Sequence, residues 1–284
     1  MQNKVAVRAA LFFYWRVRLM RVLMIGDIVG TAGQSTLMEW LPRLRRSLSP
    51  SIVVANGENA AGGRGITRAI YHKLLEIGID CVTLGNHTWA KEEIFDFIDS
   101  EPRLLRPANY PPGTPGKGIA HLTVNGARLI VISLMGRTFL SSSLDCPFRT
   151  VDSLLEGLDP KTTPILVDFH AETTSEKQAM AWYLDGRISG LVGTHTHVQT
   201  ADERILPQGT AYLTDVGMVG PYDGILGMDR ELVQKRFLTQ LPVRFNTAGG
   251  RTQLNAVLID IDLTTGGAKK IRRIRIDDDH PFLE

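Results

Sequence analysis

Two histidines separated by one residue, His195 and His197, stand at the end of a short apolar run that breaks at Gly193. Such a run is typical of a buried strand entering a tight turn, and side chains at positions i and i+2 of that turn can point at one site. Imidazole nitrogens bind transition metals, although a histidine pair taken alone is more often a hydrogen-bonded core or surface feature. The metal hypothesis therefore depends on what else the chain offers.

Polar side chains that can bind metals also follow four other apolar runs. These runs cover residues 22–25, 52–55, 79–84 and 165–169, and the side chains that follow them are Asp27, Glu58, Asn59, Asn86, His87 and His170. Each one alone could be a turn residue or a core histidine. However, ligands of open α/β sheets bind at the carboxyl ends of strands. A shared metal site explains all five strand ends together.

The strand ends supply a mixed set of ligand groups. With His87 set aside, they offer three imidazoles, two carboxylates and two amides. This set exceeds what one tetrahedral site uses and suits two adjacent metals that share a bridge. Nitrogen and oxygen ligands without thiolate are typical of iron, manganese or zinc, and argue against calcium or an all-oxygen magnesium site. The residues predict a dinuclear centre without choosing among these three metals.

Strands and helices alternate in the first hundred residues. A helix is predicted after Asp27, kinked or split by Pro42, and two more are predicted over residues 66–77 and 89–97. Residues 101–118 are broken by prolines and are expected to lie irregularly near the mouth of the site.

The second half of the chain contains two hairpin patterns and one clear helix. The Asn-Gly pair at 125–126 predicts a tight hairpin, and residues 254–276 predict a closing hairpin. A helix is predicted over residues 174–184, with Ser175 or Thr174 as its cap. A second or mixed sheet follows from these patterns.

The amino-acid composition is that of a globular protein whose positive and negative charges nearly balance. The chain of 284 residues is 43% apolar, enough for one large core, and we expect a single domain over residues 20–284. Its net charge of +2 gives no signal for DNA or a membrane surface. Two isolated cysteines form neither a disulfide framework nor a C-x-x-C motif, which favours the cytoplasm.

Residues 1–19 are expected to be a disordered extension that precedes the domain. Their apolar stretch is short, is interrupted by Arg16 and Arg18, and lacks a small-residue cleavage site. A strand pattern begins directly after Met20, which makes Met20 a candidate start. A weakly docked basic amphipathic helix is the alternative for this segment.

Three short motifs, GD at residue 27, GNH at 85–87 and GTHTH at 193–197, resemble the calcineurin-like metallophosphoesterases. Seven blocks match one branch more closely, in the order IGDIVG, NGENAAGGRGI, TLGNHTW, RPANYP, DFHAETTSEK, GTHTHVQTAD and TDVGMVGPYD. By these blocks the chain resembles the YmdB-like family, bacterial phosphodiesterases that act on cyclic nucleotides. The resemblance runs from about Met20 to the C-terminus.

Two positions depart from the general superfamily pattern and are themselves YmdB-like. Val29 stands where the superfamily commonly has a histidine. Glu58 followed by Asn59 stands where it has a bridging aspartate.

The resemblance implies a fold and a set of ligands. The fold is α/β, a two-sheet αββα sandwich of the metallophosphoesterase type, with helices outside both sheets and metals at the carboxyl ends of the central strands. One metal would be held by Asp27, Asn59 and His197, the other by Asn86, His170 and His195, with Glu58 bridging them. His87 would remain uncoordinated and resembles the family's proton donor.

The implied activity is hydrolysis of a cyclic nucleotide, either 2',3'-cyclic or 3',5'-cyclic. A hydroxide held between the metals would attack phosphorus, and His87 would protonate the leaving oxygen. The resemblance favours iron, with manganese or zinc as alternatives. The substrate is a small molecule, neither DNA nor a membrane is an expected partner, and a homo-oligomer stays open.

Several other residues are candidates for supporting roles. The loop at residues 62–65, Arg137 and Arg149 could bind phosphate, although loop arginines are usually solvated. Asp168 or Glu172 could orient a ligating histidine or simply cap the following helix.

Two other functions stay open at this point. The same metals could serve a nuclease or phosphomonoesterase, although the chain has no basic stripe interleaved with aromatic residues. A non-catalytic regulatory binding protein is the other alternative. The presence of every expected ligand type together with the candidate acid argues against a vestigial site.

Overall fold

The computed structural model of this protein describes residues 19–140 and 143–282. The first half contains β1 (Leu19–Ile25), β2 (Asp27–Ile28), α1 (Gly30–Leu48), β3 (Ile52–Asn56), α2 (Arg68–Glu76), β4 (Cys81–Thr83), β5 (Leu104–Leu105), β6 (Ile119–Val124) and β7 (Ala127–Met135). The second half contains α3 (Pro147–Leu155), β8 (Ile165–His170), α4 (Thr174–Leu184), β9 (Gly190–Thr194), β10 (Arg204–Ile205), β11 (Ala211–Leu213), β12 (Met218–Pro221), α5 (Arg230–Thr239), β13 (Thr252–Asp262) and β14 (Ala268–Ile276).

One of the two sheets in the described residues has eight strands. Its order is β2-β12-β13-β1-β3-β4-β5, and β14 also pairs with β13. Strands β1, β3, β4 and β5 run parallel, whereas β13 lies antiparallel to β1 with Leu19 opposite Asp262 and Ile25 opposite Ala256. Every residue of β3 is buried, as expected for a parallel strand covered on both faces.

The other sheet has six described strands in the order β10-β11-β9-β8-β7-β6. Its four central strands are parallel, and β6 and β10 are antiparallel edges. The predicted hairpin between β6 and β7 is confirmed. Its turn residues Asn125 and Gly126 have φ values of 48° and 83°, the left-handed backbone that an Asn-Gly turn requires.

The two sheets pack face to face, and helices cover their outer faces. In β1, Val22 and Met24 enter a middle hydrophobic cluster shared with Val131 of the other sheet. Their neighbours Leu23 and Ile25 face the opposite way, into a cluster with α1 and α2. This alternation follows from the two-residue repeat of a strand. A third cluster joins the outer face of the six-stranded sheet to α3 and α4.

Two predictions about the first helices need correction. Of the kink or split predicted at Pro42, the split is wrong, because α1 is continuous and buries leucines on both sides of the proline, including Leu41 and Leu44. Those contacts offset the one hydrogen bond that proline removes. Residues 89–97 do not form an α-helix but lead into two 3₁₀ turns, Glu92–Asp96 and Ile98–Ser100. A three-residue repeat suits these turns because it brings Ile94 and Phe97 to the same buried side.

The helix predicted at residues 174–184 is confirmed as α4, but its cap is different. The hydroxyl of Thr173 accepts from the Glu176 backbone N–H at 3.4 Å, so neither Thr174 nor Ser175 is the cap, since both already lie in the first turn. Strands β10, β11 and β12 and helices α3 and α5 were not predicted.

The predicted extension lies outside the described residues, except for Leu19. Leu19 is the first residue of β1 and pairs with Asp262. Within the described ranges, none of the helices is both long and apolar enough to cross a membrane.

Candidate metal centre

The carboxyl ends of strands from both sheets meet at one edge of the sandwich. The first sheet delivers Asp27 after β1, Glu58 and Asn59 after β3, and Asn86 and His87 after β4; the second delivers His170 at the end of β8 and His195 and His197 after β9. Each of these eight side chains lies within 4 Å of at least one other. The structure therefore brings together the eight side chains that follow the predicted strands.

One group of ligand atoms surrounds the inner nitrogen of His170. This Nε2 lies 3.0 Å from Nδ1 of His195, 2.9 Å from Oδ1 of Asn86 and 3.2 Å from Oε1 of Glu58. Ligand atoms of Glu58, His170 and His195 all lie within 4.8 Å of one another, a spacing that could hold a metal ion.

A second group surrounds the amide of Asn59. Its Nδ2 lies 3.1 Å from Nε2 of His197, 3.4 Å from Oδ1 of Asp27 and 3.3 Å from Oε1 of Glu58. The same Glu58 oxygen thus touches both groups. The amide oxygen of Asn59 faces His87 instead, so Asn59 could bind a metal through oxygen only after a rotation of its amide.

A buried chain of hydrogen bonds fixes the orientation of His170. The Thr194 hydroxyl donates to Asp168 at 2.8 Å, so it accepts from Nδ1–H of His170 at 2.9 Å. Asp168 also accepts from Thr83 at 2.5 Å and from Asn56 at 3.4 Å. Because Nδ1 donates to Thr194, Nε2 is the nitrogen that faces the site and that can bind a metal once it gives up its proton. Asp168 therefore orients a histidine and does not cap the following helix.

The other two histidines are fixed in the same way. Nε2 of His195 faces the Glu172 carboxylate at 2.9 Å, and Nδ1 of His197 donates to the Leu226 carbonyl at 3.0 Å. The opposite ring nitrogens point into the site. Two unprotonated nitrogens of His170 and His195 only 3.0 Å apart would repel each other, so either a proton or a metal ion lies between them, and the donor set fits a transition metal.

The turn between His195 and His197 is strained and held by a buried ion pair. Both histidines have positive φ, 102° and 63°, which non-glycine residues rarely adopt. Asp215 accepts from the Thr196 backbone N–H at 3.1 Å and from its hydroxyl at 2.7 Å. Lys177 lies 2.7 Å from the same carboxylate, and both side chains are buried. Sequence reasoning missed this pair, whose only signal was its place in two family-like blocks.

Gly85, which precedes Asn86, leaves no room for a side chain. An added Cβ would lie 2.3 Å from Cδ2 of His170 and 2.5 Å from Oε2 of Glu58. The glycine of the GNH motif is therefore required by the packing of the site itself.

Burial and mutual attraction shift the pKa values in the site. Burial raises the pKa of Asp27 to about 6, against the attraction of two histidines. Burial alone would raise the pKa of Glu58 and lower that of His170, but their attraction reverses both, so that Glu58 is held well below its ordinary value and His170 rises to about 9. Burial and the charge of His170 lower the pKa of His195 to about 3. Without a metal, a proton on His170 neutralises Glu58.

His87 lies beside these groups and is partly open to solvent. Its backbone N–H donates to Oε2 of Glu58 at 3.0 Å, and its Nδ1 lies 2.7 Å from Oδ1 of Asn59. Nε2 is consequently the ring nitrogen that can reach a bound ligand.

The candidate phosphate-binding arginines lie in two places. Arg137 and Arg149 line one pocket of about 450 Å³ together with Cys146. Arg64 is exposed in a loop whose three glycines have positive φ.

Comparison with known proteins gives consistent matches over nearly the whole described chain. A family model described as YmdB-like protein matches residues 23–274. The 2',3'-cyclic-nucleotide 2'-phosphodiesterase of Bacillus subtilis (strain 168) is 59% identical over 265 residues, which cover 93% of this chain and 100% of that protein.

Two solved structures are similar in both fold and sequence. A hypothetical protein from Thermus thermophilus has a TM-score of 0.85 and 45% identity, covering 91% of this chain and 99% of that one. A novel phosphatase from Mycoplasma pneumoniae has a TM-score of 0.86 and 32% identity, covering 92% of this chain and 94% of that one.

Proposed function

Because this chain belongs to the YmdB-like protein family, we propose that it is a metal-dependent phosphodiesterase that hydrolyses 2',3'-cyclic nucleotides, with 3',5'-cyclic nucleotides as a second class. The observation that carries the proposal is the convergence of His170 Nε2 and His195 Nδ1 with the oxygens of Asn86 and Glu58. The name of the Bacillus subtilis relative supports the substrate class.

We assign the seven candidate ligands to two transition metals within a sandwich of the metallophosphoesterase type. One metal would be held by Asp27, Asn59 and His197, the other by Asn86, His170 and His195, and Glu58 would bridge the two. The bridging role is supported by Oε1 of Glu58, which lies 3.2 Å from His170 Nε2 and 3.3 Å from Asn59 Nδ2. Iron is the first candidate, with manganese or zinc as alternatives.

When bound, two such metals supply positive charge to the anionic diester and an activated water near neutral pH. The protein's own residues orient the histidine rings. Thr194, Glu172 and the Leu226 carbonyl hold the outer ring nitrogens, so that the three rings are oriented before any metal enters, and a metal would displace the proton that His170 shares with Glu58. The apolar layer behind the site keeps water away from its inner side.

His87 is the general acid of the proposed reaction. The oxygen of water bonds to phosphorus and gives up one proton to solvent, the bond from phosphorus to O2' breaks, and the O2' oxygen takes a proton from His87, which solvent then protonates again. The product is a nucleoside 3'-phosphate. His87 suits this role because Nδ1 contacts Asn59 while Nε2 can reach the leaving oxygen.

The experiment that tests this function compares diesters with monoesters. Purified protein loaded separately with Fe²⁺, Mn²⁺ or Zn²⁺ is assayed on 2',3'-cyclic AMP, 3',5'-cyclic AMP, bis-p-nitrophenyl phosphate and p-nitrophenyl phosphate. We expect 2',3'-cyclic AMP to be converted to adenosine 3'-phosphate and the monoester to react far more slowly.

The name of the Mycoplasma pneumoniae neighbour favours phosphomonoesterase activity as the second candidate function. Hydrolysis of p-nitrophenyl phosphate alone would support that function against ours. Inactivity on all four substrates with every metal would favour a regulatory binding protein.

A further inference from the structure

An open aromatic pocket of about 470 Å³ lies just beyond the His87 turn. Three rings form its core: Trp89 stacks on Phe95 with centroids 5.2 Å apart and planes 7° from parallel, and Tyr110 meets Trp89 edge-on at 5.5 Å. Phe95 is 50% exposed, so ring surface faces solvent. The volume of the pocket lies within the range of small-molecule binding sites.

One wall of this pocket is attached to the turn that carries the proposed general acid. Trp89 follows His87 by two residues, so their Cα atoms are at most about 7 Å apart. The turn is fixed because the Thr88 hydroxyl donates to the Gly85 carbonyl at 2.6 Å and the Ala90 N–H donates to the His87 carbonyl at 3.0 Å.

The opposite wall is attached to the strand beside His170. Tyr110 directly follows Asn109, which is buried and exchanges two hydrogen bonds with the Met135 backbone, at 2.8 and 2.9 Å. Met135 is paired with His170 across β7 and β8. Both walls are therefore anchored to segments of the metal centre, which places the pocket beside it.

The loop that closes the pocket is held in place by its own hydrogen bonds, without a ligand. Arg106 donates to the carbonyls of Thr114 and Pro115, both at 3.2 Å, and to the carbonyls of the two residues that follow it in sequence. The Gly116 N–H donates to Asp99 at 2.6 Å. A preorganised wall lowers the entropy cost of binding. The segment that the sequence showed only as an irregular excursion is thus a fixed structure.

The lining of the pocket suits a flat, uncharged ring. Besides the three aromatic rings, it consists of Pro112, Gly113, Thr114 and Pro115. The hydroxyl of Thr114 already donates to the Pro111 carbonyl at 2.7 Å. The lining thus consists mainly of stacking surface, and its two hydroxyls are those of Tyr110 and Thr114.

We propose that the pocket of Trp89, Phe95 and Tyr110 is a stacking subsite for the base of a nucleotide whose phosphate lies at the metal centre. This inference rests on the proposed function and extends it to substrate selection. Stacking on aromatic rings accepts every base because each base has a π-face. The pocket therefore selects nucleotides over base-free diesters and discriminates weakly among the four bases.

Phe95→Ala tests the subsite, because Phe95 is half-exposed and its removal leaves the core intact. We expect KM for 2',3'-cyclic AMP to rise about 5- to 100-fold, the range for loss of one base stack. Activity on glycerol 1,2-cyclic phosphate, which has a five-membered cyclic diester but no base, should stay unchanged. Phe95→Tyr should retain nucleotide activity, and Phe237→Ala, which removes an exposed ring on α5, should change neither substrate.

A second measurement needs no catalysis. Adenosine, which lacks phosphate, should quench tryptophan fluorescence of the wild-type protein and of Phe237→Ala, and should fail to quench it in Trp89→Phe or Phe95→Ala. Uridine and guanosine should quench with dissociation constants within about tenfold of adenosine.

Three outcomes would overturn the subsite. The wild type could process glycerol cyclic phosphate as efficiently as the nucleotide, Phe95→Ala could slow both substrates equally, or a proline-rich peptide could quench the fluorescence where nucleosides do not. If no cyclic phosphate of any kind is hydrolysed, the proposed function fails, while the nucleoside titration still decides the subsite.

Discussion

Each imidazole of the candidate centre is oriented by the partner of its outer nitrogen. His170 has a hydroxyl backed by a buried carboxylate, His195 has Glu172, and His197 has a backbone carbonyl. These partners differ in chemistry, yet each accepts a hydrogen bond from the outer N–H, which turns the other ring nitrogen towards the site. The orientation of the three rings therefore already matches what a metal requires.

The first prediction at this scale separates catalysis from metal binding. His87→Ala should lower turnover of 2',3'-cyclic AMP about 100- to 10,000-fold, the usual worth of a general acid, and should leave metal content unchanged. Glu58→Gln should lower both, because Oε1 of Glu58 touches both groups of ligands. Elemental analysis and turnover of the two variants check this. Full activity of His87→Ala would remove His87 from the mechanism.

The second prediction concerns Thr194. In Thr194→Val the Nδ1–H of His170 loses its acceptor, and the buried Asp168 loses one of its donors. We expect metal affinity to fall about 10- to 100-fold, measured by competition with a chelator. Thr194→Ser keeps the hydroxyl and should bind metal as the wild type does. Equal affinities of the valine and serine variants would show that the hydroxyl does not orient His170.

At the scale of elements, strand ends and the turns after them decide where each ligand lies. The turn after β4 can pass between Glu58 and His170 only as glycine, since a Cβ on Gly85 would lie 2.3 Å from Cδ2 of His170. The turn after β9 holds its two histidines in left-handed backbone through Asp215 and Lys177.

Gly85→Ala should consequently destroy the site while the fold persists. The added methyl must displace His170 or Glu58, so we expect metal binding to be lost and the circular dichroism spectrum to stay unchanged. Gly249→Ala is the matched control, because a Cβ there meets nothing within 4 Å. Normal metal binding by Gly85→Ala would mean that the turn can move.

Asp202 stabilises the connection between β9 and β11 in a pH-dependent way. It accepts from the Thr200 hydroxyl at 2.7 Å and from the Thr214 N–H and hydroxyl at 3.2 and 2.5 Å. Burial alone would raise the pKa of Asp202, but these hydrogen bonds hold it below its ordinary value. A lowered folded-state pKa adds stability above the unfolded value of about 3.9 that disappears as the pH falls through the folded value.

Asp202→Asn should therefore be less stable than the wild type at pH 7 and pH 5, by about 1–3 kcal/mol in the free energy of unfolding. The difference should shrink as the pH falls below about 3.9, because Asp202 of the unfolded chain takes up its proton there and the folded carboxylate does so only at lower pH. Urea unfolding at pH 7, 5 and 3.5 measures it, with Asp278→Asn, an exposed carboxylate, as the control. A difference that stays constant with pH would exclude this carboxylate as its source.

At the scale of the whole molecule, the two sheets each supply part of the site. Asp27, Glu58 and Asn86 come from the eight-stranded sheet, and His170 and His195 come from the six-stranded one. Their separation is set by the apolar layer between the sheets. The packing between the sheets, far from these side chains, therefore affects the distances between them.

Equal losses of stability in different layers should have unequal effects on metal binding. Leu166 lies between the sheets, whereas Leu184, the last residue of α4, packs on the outer face of the six-stranded sheet, and both are fully buried. Leu166→Ala and Leu184→Ala should each cost about 2–5 kcal/mol in the free energy of unfolding. Only Leu166→Ala should also weaken metal binding, as measured by titration on the folded protein. Equal affinities in the two variants would mean that the sheets are rigid enough to hold their spacing without Leu166.

Short sequence patterns predicted those features of the structure that depend on neighbouring residues in the chain. Apolar runs that end in polar residues identified all eight side chains of the site, because a buried strand and its ligand-bearing end are adjacent in sequence. The residues that hold these side chains in place make hydrogen bonds to residues distant in sequence. Asp168 accepts a hydrogen bond from the hydroxyl of Thr83, 85 residues away, and Asp215 accepts one from the hydroxyl of Thr196 across a loop. Periodicity carries no information about such pairs, nor about the strand order of the second sheet.

The position of β13 in its sheet has a consequence for biosynthesis. This strand is next to last among those described, yet it lies between β12 and β1, the strand whose end leads to Asp27. While the ribosome is still making residues 252–262, the edge of β1 that β13 will cover remains open. We therefore expect a metal to bind only after nearly all the residues of both sheets have been made.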